Sequence, residues 1–93
     1  MSLNYHERIK MLSDLAYSLC KKFEMNPYAI SLYPNRMEIN IQGNYLSNIE
    51  EKLTSNGYKL IRQFDSHEKL FKDFAKNIDG IEVEFTLVIN KFK

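Results

Sequence analysis

The chain has one cysteine, no tryptophan, two prolines and three glycines in 93 residues. A lone thiol, Cys20, excludes an intramolecular disulfide. It borders the apolar stripe of a helix, so it reads as a small buried hydrophobe; a reactive thiol needs an electropositive, part-exposed setting. Gly43, Gly57 and Gly80 stand singly, and no glycine-rich loop exists to cradle a phosphate. No apolar run approaches the roughly 20 residues of a membrane span. The polar opening Ser2–Lys10 has no apolar secretory segment, so the chain reads as cytoplasmic.

Charge of one sign is also missing. Lysine and arginine total 13, aspartate and glutamate 12, and the formal net charge is +1. That balance lacks the basic stripe of a dedicated duplex-DNA binder. Metal and catalytic patterns are sparse. His6 and His67 lie in no Cys/His spacing. His67-Glu68 starts like the zinc motif H-E-x-x-H, but Phe71 occupies the place of the second histidine. Asn77-Ile78-Asp79-Gly80 lacks the oxygen ladder of a calcium loop. Glu82 and Glu84 share one side of a strand, and a solvated strand face explains them without a ligand. The expectation is therefore no enzyme, no cofactor and no metal.

What is present is periodicity. Ile81, Val83, Phe85, Leu87 and Ile89 alternate with Glu82, Glu84 and Thr86, predicting a strand with one apolar face. Over Asn4–Met25, Tyr5, Ile9, Leu12, Ala16, Leu19 and Phe23 recur every three or four residues, which lays a stripe on one helix face. Asn4 caps it with Glu7 at the third position, and Asn26-Pro27 stops it. Tyr28–Tyr33 and Arg36–Gln42 form a hairpin around Tyr33-Pro34-Asn35-Arg36, and Gly43-Asn44 breaks its second strand. A short helix over Ser47–Ser55 carries a Ser47/Glu50 capping box and ends at Asn56-Gly57. Tyr58–Phe64 is a strand in which Arg62 sits on the apolar side, a sign of an edge.

Asp65–Gly80 reads two ways. His67, Leu70, Phe71, Phe74, Ala75 and Ile78 fit helical spacing, and the apolar residues do not alternate, so a helix is predicted. The alternative is an extra strand, with Asp79-Gly80 turning a hairpin into the final strand. The fold class is α+β: one domain over 1–93, element order α-β-β-α-β-α-β, two layers, about four strands in a mixed sheet with helices on one face. Right-handed β-α-β crossovers would make parallel neighbours.

Such a sheet exposes its other face. Tyr33, Ile61 and Val88, with Phe92, point outward there among Ser31, Gln63 and Thr86. The hairpin tip sets Tyr33, Asn35 and Arg36 together, and aromatic and arginine side chains anchor interfaces. Tyr33, Asn35, Arg36, Ile61 and Val88 are thus the candidate partner-binding residues. The expected function is a small non-catalytic regulator or inhibitor that binds an unidentified protein. The Asn-, Lys- and Ile-rich composition suits an AT-rich genome and an accessory protein of a phage or other mobile element. One alternative is single-stranded nucleic-acid binding, with tyrosines stacking on bases and Lys59, Arg62 and Lys91 near phosphates. Glu38, Glu82 and Glu84 on the same face oppose it. Another is a homo-oligomer built through the open face or an edge strand.

Overall fold

The structure, a computed structural model, describes residues 3–92. Residues 1, 2 and 93, which the single-domain reading included, lie outside the described residues. The order is α1 (Tyr5–Lys22), β1 (Ala29–Tyr33), β2 (Glu38–Asn44), α2 (Ser47–Ser55), β3 (Lys59–Asp65), β4 (Lys69–Ile78) and β5 (Ile81–Asn90). The strands make one five-stranded sheet in the order β1-β2-β5-β4-β3. β2 and β5 run parallel and every other pair antiparallel.

The alternating C-terminal stretch is the central strand. Val83, Phe85 and Leu87 are fully buried on one face of β5. Ile39 and Ile41 of β2 and Phe74 of β4 extend that face sideways. Both helices cover it: Leu12, Ala16, Leu19 and Phe23 from the α1 segment, Ile49 and Leu53 from α2. Burying each large side chain contributes roughly 1.5–3 kcal/mol. Phe23, Tyr58 and Phe85 meet edge to face, with ring centroids 5.3–5.9 Å apart. This geometry matches positive ring edges to negative faces.

The ends of α1 are set locally. Asn4 Oδ1 accepts the Glu7 N–H at 2.8 Å, and Glu7 Oε1 accepts the Asn4 N–H at 3.0 Å, the expected capping box. The helix stops before Asn26-Pro27. Glu24 takes a left-handed φ of 53°. The Met25 N–H then reaches the Cys20 carbonyl, and the Glu24 N–H the Lys21 carbonyl. That is a Schellman motif, here without glycine.

Four other expectations are corrected. The Asp65–Gly80 segment is not a helix; its alternative, an extra strand turning through Asp79-Gly80, is what forms, as β4. Helical spacing misled because Lys72 and Lys76 occupy core-side positions of the strand. Each lays its stem along the apolar surface and turns its ammonium outward. Lys72 Nζ sits 5.2 Å from the Tyr45 ring centre and Lys76 Nζ 5.6 Å from that of Tyr58. Secondly, Ser47 does not cap α2. The cap is Leu46, which makes no side-chain bond, and Glu50 instead reaches Lys72. Thirdly, β2 runs through Gly43 to Asn44. A Cβ at Gly43 would lie 2.5 Å from Met25 Cε, so glycine here admits a close neighbour. Finally, Arg36 and Met37 belong to the hairpin loop, where Met37 takes φ 52° and β2 begins at Glu38.

Candidate protein-binding face

The face of the sheet away from the helices is lined by alternate residues: Glu38, Asn40 and Gln42 on β2, Glu82, Glu84, Thr86 and Val88 on β5, and Phe71, Asp73 and Ala75 on β4. On β3 the register slips between Leu60 and Arg62. This bulge at Ile61 turns Arg62 and Phe64 onto the open face while Leu60 stays on the helix side. The odd position of Arg62 in the strand pattern is thereby explained. β3 is an edge, as that residue suggested.

Arg62 crosses the sheet as a clamp. Its Nε donates to Asp73 Oδ2 at 2.9 Å and its Nη2 to Glu84 Oε2 at 2.8 Å. The Asp73 bond and the Glu84 charge push the guanidinium's proton affinity further up. Asn40 Nδ2 continues the belt, donating to Glu84 Oε1 and Thr86 Oγ1, both at 3.1 Å. Four adjacent strands are thus tied together by side chains above the backbone ladder. The belt holds Glu84 in place, with both of its carboxylate oxygens engaged.

Towards the prolyl hairpin the face changes character. Arg36 curls back over Tyr33, its guanidinium carbon 4.7 Å from the ring centre, and its Nε lies 3.5 Å from Glu38 Oε2. The Arg36 N–H closes the turn on the Tyr33 carbonyl at 3.1 Å. Glu38 and Glu82 are side-by-side partners across the parallel pair. Tyr33, Arg36, Glu38, Asn40, Glu82 and Glu84 line a shallow depression of about 190 Å³. Arg36 answers Glu38 and Arg62 answers Glu84, so the three carboxylates exceed the guanidiniums by one and the depression is mildly acidic.

The five residues singled out from the sequence do not form one patch. Tyr33 and Arg36 stack as a pair, and Asn35 is exposed in the loop beside them. Ile61 is half exposed on β3, at the opposite edge of the sheet from β1. Four strand spacings separate those edges, roughly 19 Å. Val88 lies on the open face but is only 3% exposed, so it offers a partner almost no area. Phe71 is its register partner, and the Phe64 ring stands 6.1 Å from that of Phe71. Phe92 is exposed beside His67, ring centres 5.4 Å apart. Asp73 was missed, because its stretch read as a helix. Arg62 was placed near this face only in the nucleic-acid alternative, and the Arg62–Asp73–Glu84–Asn40 belt had no signal beyond the misplaced charge of Arg62.

The remaining reactive groups are isolated. Burial pushes the Cys20 thiol up, away from the thiolate. Glu50 is held below the usual carboxylate range, first by the Tyr45 hydroxyl bond and then by Lys72, and this fastens α2 to β4. Among the described residues no three His, Cys, Asp or Glu side chains converge as metal ligands. No helix among them is long and apolar enough to cross a membrane. Set against protein-family models, curated proteins and solved structures, the chain matches none.

Proposed function

We propose that this chain is a small non-catalytic regulator or inhibitor that binds a protein through the helix-free face of its sheet. The acidic depression beside the hairpin receives an arginine or lysine side chain of the partner. The carrying observation is the convergence of Glu38, Glu82 and Glu84 beside the Tyr33 ring. Carboxylates supply the counter-charge, and the Tyr33 ring, already stacked with Arg36, walls the depression on one side. The Arg62 belt supports the reading by holding the rest of the face in one arrangement, which lowers the ordering cost of binding. The same carboxylates repel phosphate, so the face suits a basic protein surface better than a nucleic-acid strand.

The test is capture from lysate with nuclease at two salt concentrations, comparing the wild type with the Glu38→Gln/Glu82→Gln double variant. A stoichiometric protein that survives nuclease and is lost by the variant is expected. A protein retained equally by the variant, or recovery of nucleic acid that salt removes, would overturn the reading.

A further inference from the structure

The two edges of the sheet are unlike. β3 is defended against strand addition. It carries a bulge at its centre, and Lys59, Arg62 and Asp65 place charge along it. Bulges and charged side chains are the ordinary means of keeping an edge from pairing. β1 has neither. Its register against β2 runs unbroken from Ala29 to Tyr33, and Ala-Ile-Ser-Leu-Tyr contains no charged residue. Pro27 and Pro34 stand just outside it, limiting any added pairing to these five residues.

Beside that edge is an apolar groove. Ala16, Tyr17 and Cys20 of α1 face Pro27, Ile30 and Leu32 across about 320 Å³. Ile30 remains 45% exposed and Tyr17 68%, although Ile30 points to the helix side of the sheet. The end of the core under β1 is therefore only half closed.

We infer that the β1 edge pairs antiparallel with β1 of a second copy of this chain, joining two sheets into one of ten strands. The strand is self-complementary. A two-fold axis at Ser31 sets Ser31 against its own copy, Ile30 against Leu32 and Ala29 against Tyr33. This register uses all five residues, whereas centring on Ile30 or Leu32 pairs only three. Each opposed pair shares a face, as antiparallel pairing demands. On the helix side the four aliphatic side chains of Ile30 and Leu32 from both copies close the two half-open grooves. On the open side a small residue lies opposite a large one, and two hydroxyls meet at the axis. No like charges are opposed anywhere in the pair. A second copy fits better than an unrelated strand because the shape, length and neutrality of β1 match themselves.

The inference goes beyond the proposed function and does not depend on it. It would place the two acidic depressions on either side of the axis, since Tyr33 borders both the depression and the new pair.

The test is light-scattering mass across protein concentration. Expected is a mass rising towards twice the 11.0 kDa of one chain. Ile30→Lys, at a half-exposed position, should hold the mass at a single chain while its circular dichroism and urea midpoint stay close to wild type. In a Cys20→Ala background, Ser31→Cys should oxidise to a cross-linked dimer, because Cβ atoms directly opposed across an antiparallel pair lie about 4.5–5.5 Å apart. Ile61→Cys, at the bulged edge, should not. A single-chain mass up to millimolar concentration overturns the inference. So does a dimer that ignores Ile30→Lys and leaves Ser31→Cys uncoupled. A monomer whose β1 amides respond only to a foreign protein would assign the edge to that protein instead and would equally overturn it.

Discussion

Tyr58 carries a hydroxyl into the core, where it finds no hydrogen-bond partner among the described residues. Its ring is well used, edge-on to Phe23 and Phe85 with the Lys76 ammonium above it. An orphaned buried polar atom costs about 1–3 kcal/mol of desolvation. Tyr58→Phe keeps the ring contacts and removes that cost, so urea unfolding should show equal or greater stability, by up to about 1–2 kcal/mol. Burial also pushes the phenol from its ordinary 10.0 up to about 12. Below pH 10 the group is neutral in both the folded and the unfolded chain. Above it the unfolded chain ionises first, which favours unfolding. Wild-type stability should therefore fall between pH 10 and about 12 by on the order of 1–3 kcal/mol more than that of Tyr58→Phe. An identical alkaline slope in the two proteins would show that this phenol is not held neutral by burial.

At the scale of elements, the β4–β5 hairpin carries the largest lesson. Its turn is Asp79-Gly80, with φ of 50° and 89°. Both residues are left-handed, the two-residue turn whose twist suits a hairpin. Asn77 Oδ1 accepts the Gly80 N–H at 3.0 Å and steadies it. Nothing lies within 4 Å of a Cβ at Gly80, so Gly80→Ala meets no clash. It still meets backbone strain, and should cost about 1–2 kcal/mol, read from the shift in thermal or urea midpoint. A neutral result would mean the turn relaxes to another type. The Asp-Gly signal was legible in the sequence; the strand before it was legible only as the second of two readings. Ten residues of β4 pair with β5 along their length, and that long ladder outweighs the local helical spacing of Leu70, Phe71, Phe74 and Ile78. By contrast β5, the α1 capping box and the prolyl turn were legible, because each rests on alternation or on contacts between residues at most four apart. The Ser47 cap was misread because Glu50 found Tyr45 and Lys72, partners that no local pattern reveals.

The whole molecule depends on pairings that sequence neighbours do not announce. Asn40 meets Glu84 and Thr86 across separations of 44 and 46 residues. The candidate face was legible only as the polar side of strands. Its belt and its acidic end emerge once the parallel β2–β5 pair sets Glu38 beside Glu82. The central position of β5 also fixes where substitution hurts most. Phe85, fully buried and touching Phe23 and Tyr58, should cost about 3–5 kcal/mol when replaced by alanine. Phe64→Ala, at a position 63% exposed on the edge strand, should cost far less. Comparable losses at the two positions would contradict the layered core.

The place of β5 has a further consequence in time. The strand made last fills the middle of the sheet, between β2 and β4. During synthesis the β1–β2 and β3–β4 hairpins can each close, yet they have nothing to join them until residues 81–90 clear the ribosome. The nascent chain therefore waits, two ribbons with open flanks, and then completes its core in one late step. A ribosome stalled before that point would hold a sticky, protease-sensitive intermediate. One stalled a few tens of residues beyond it, enough to span the exit tunnel, would present a finished domain.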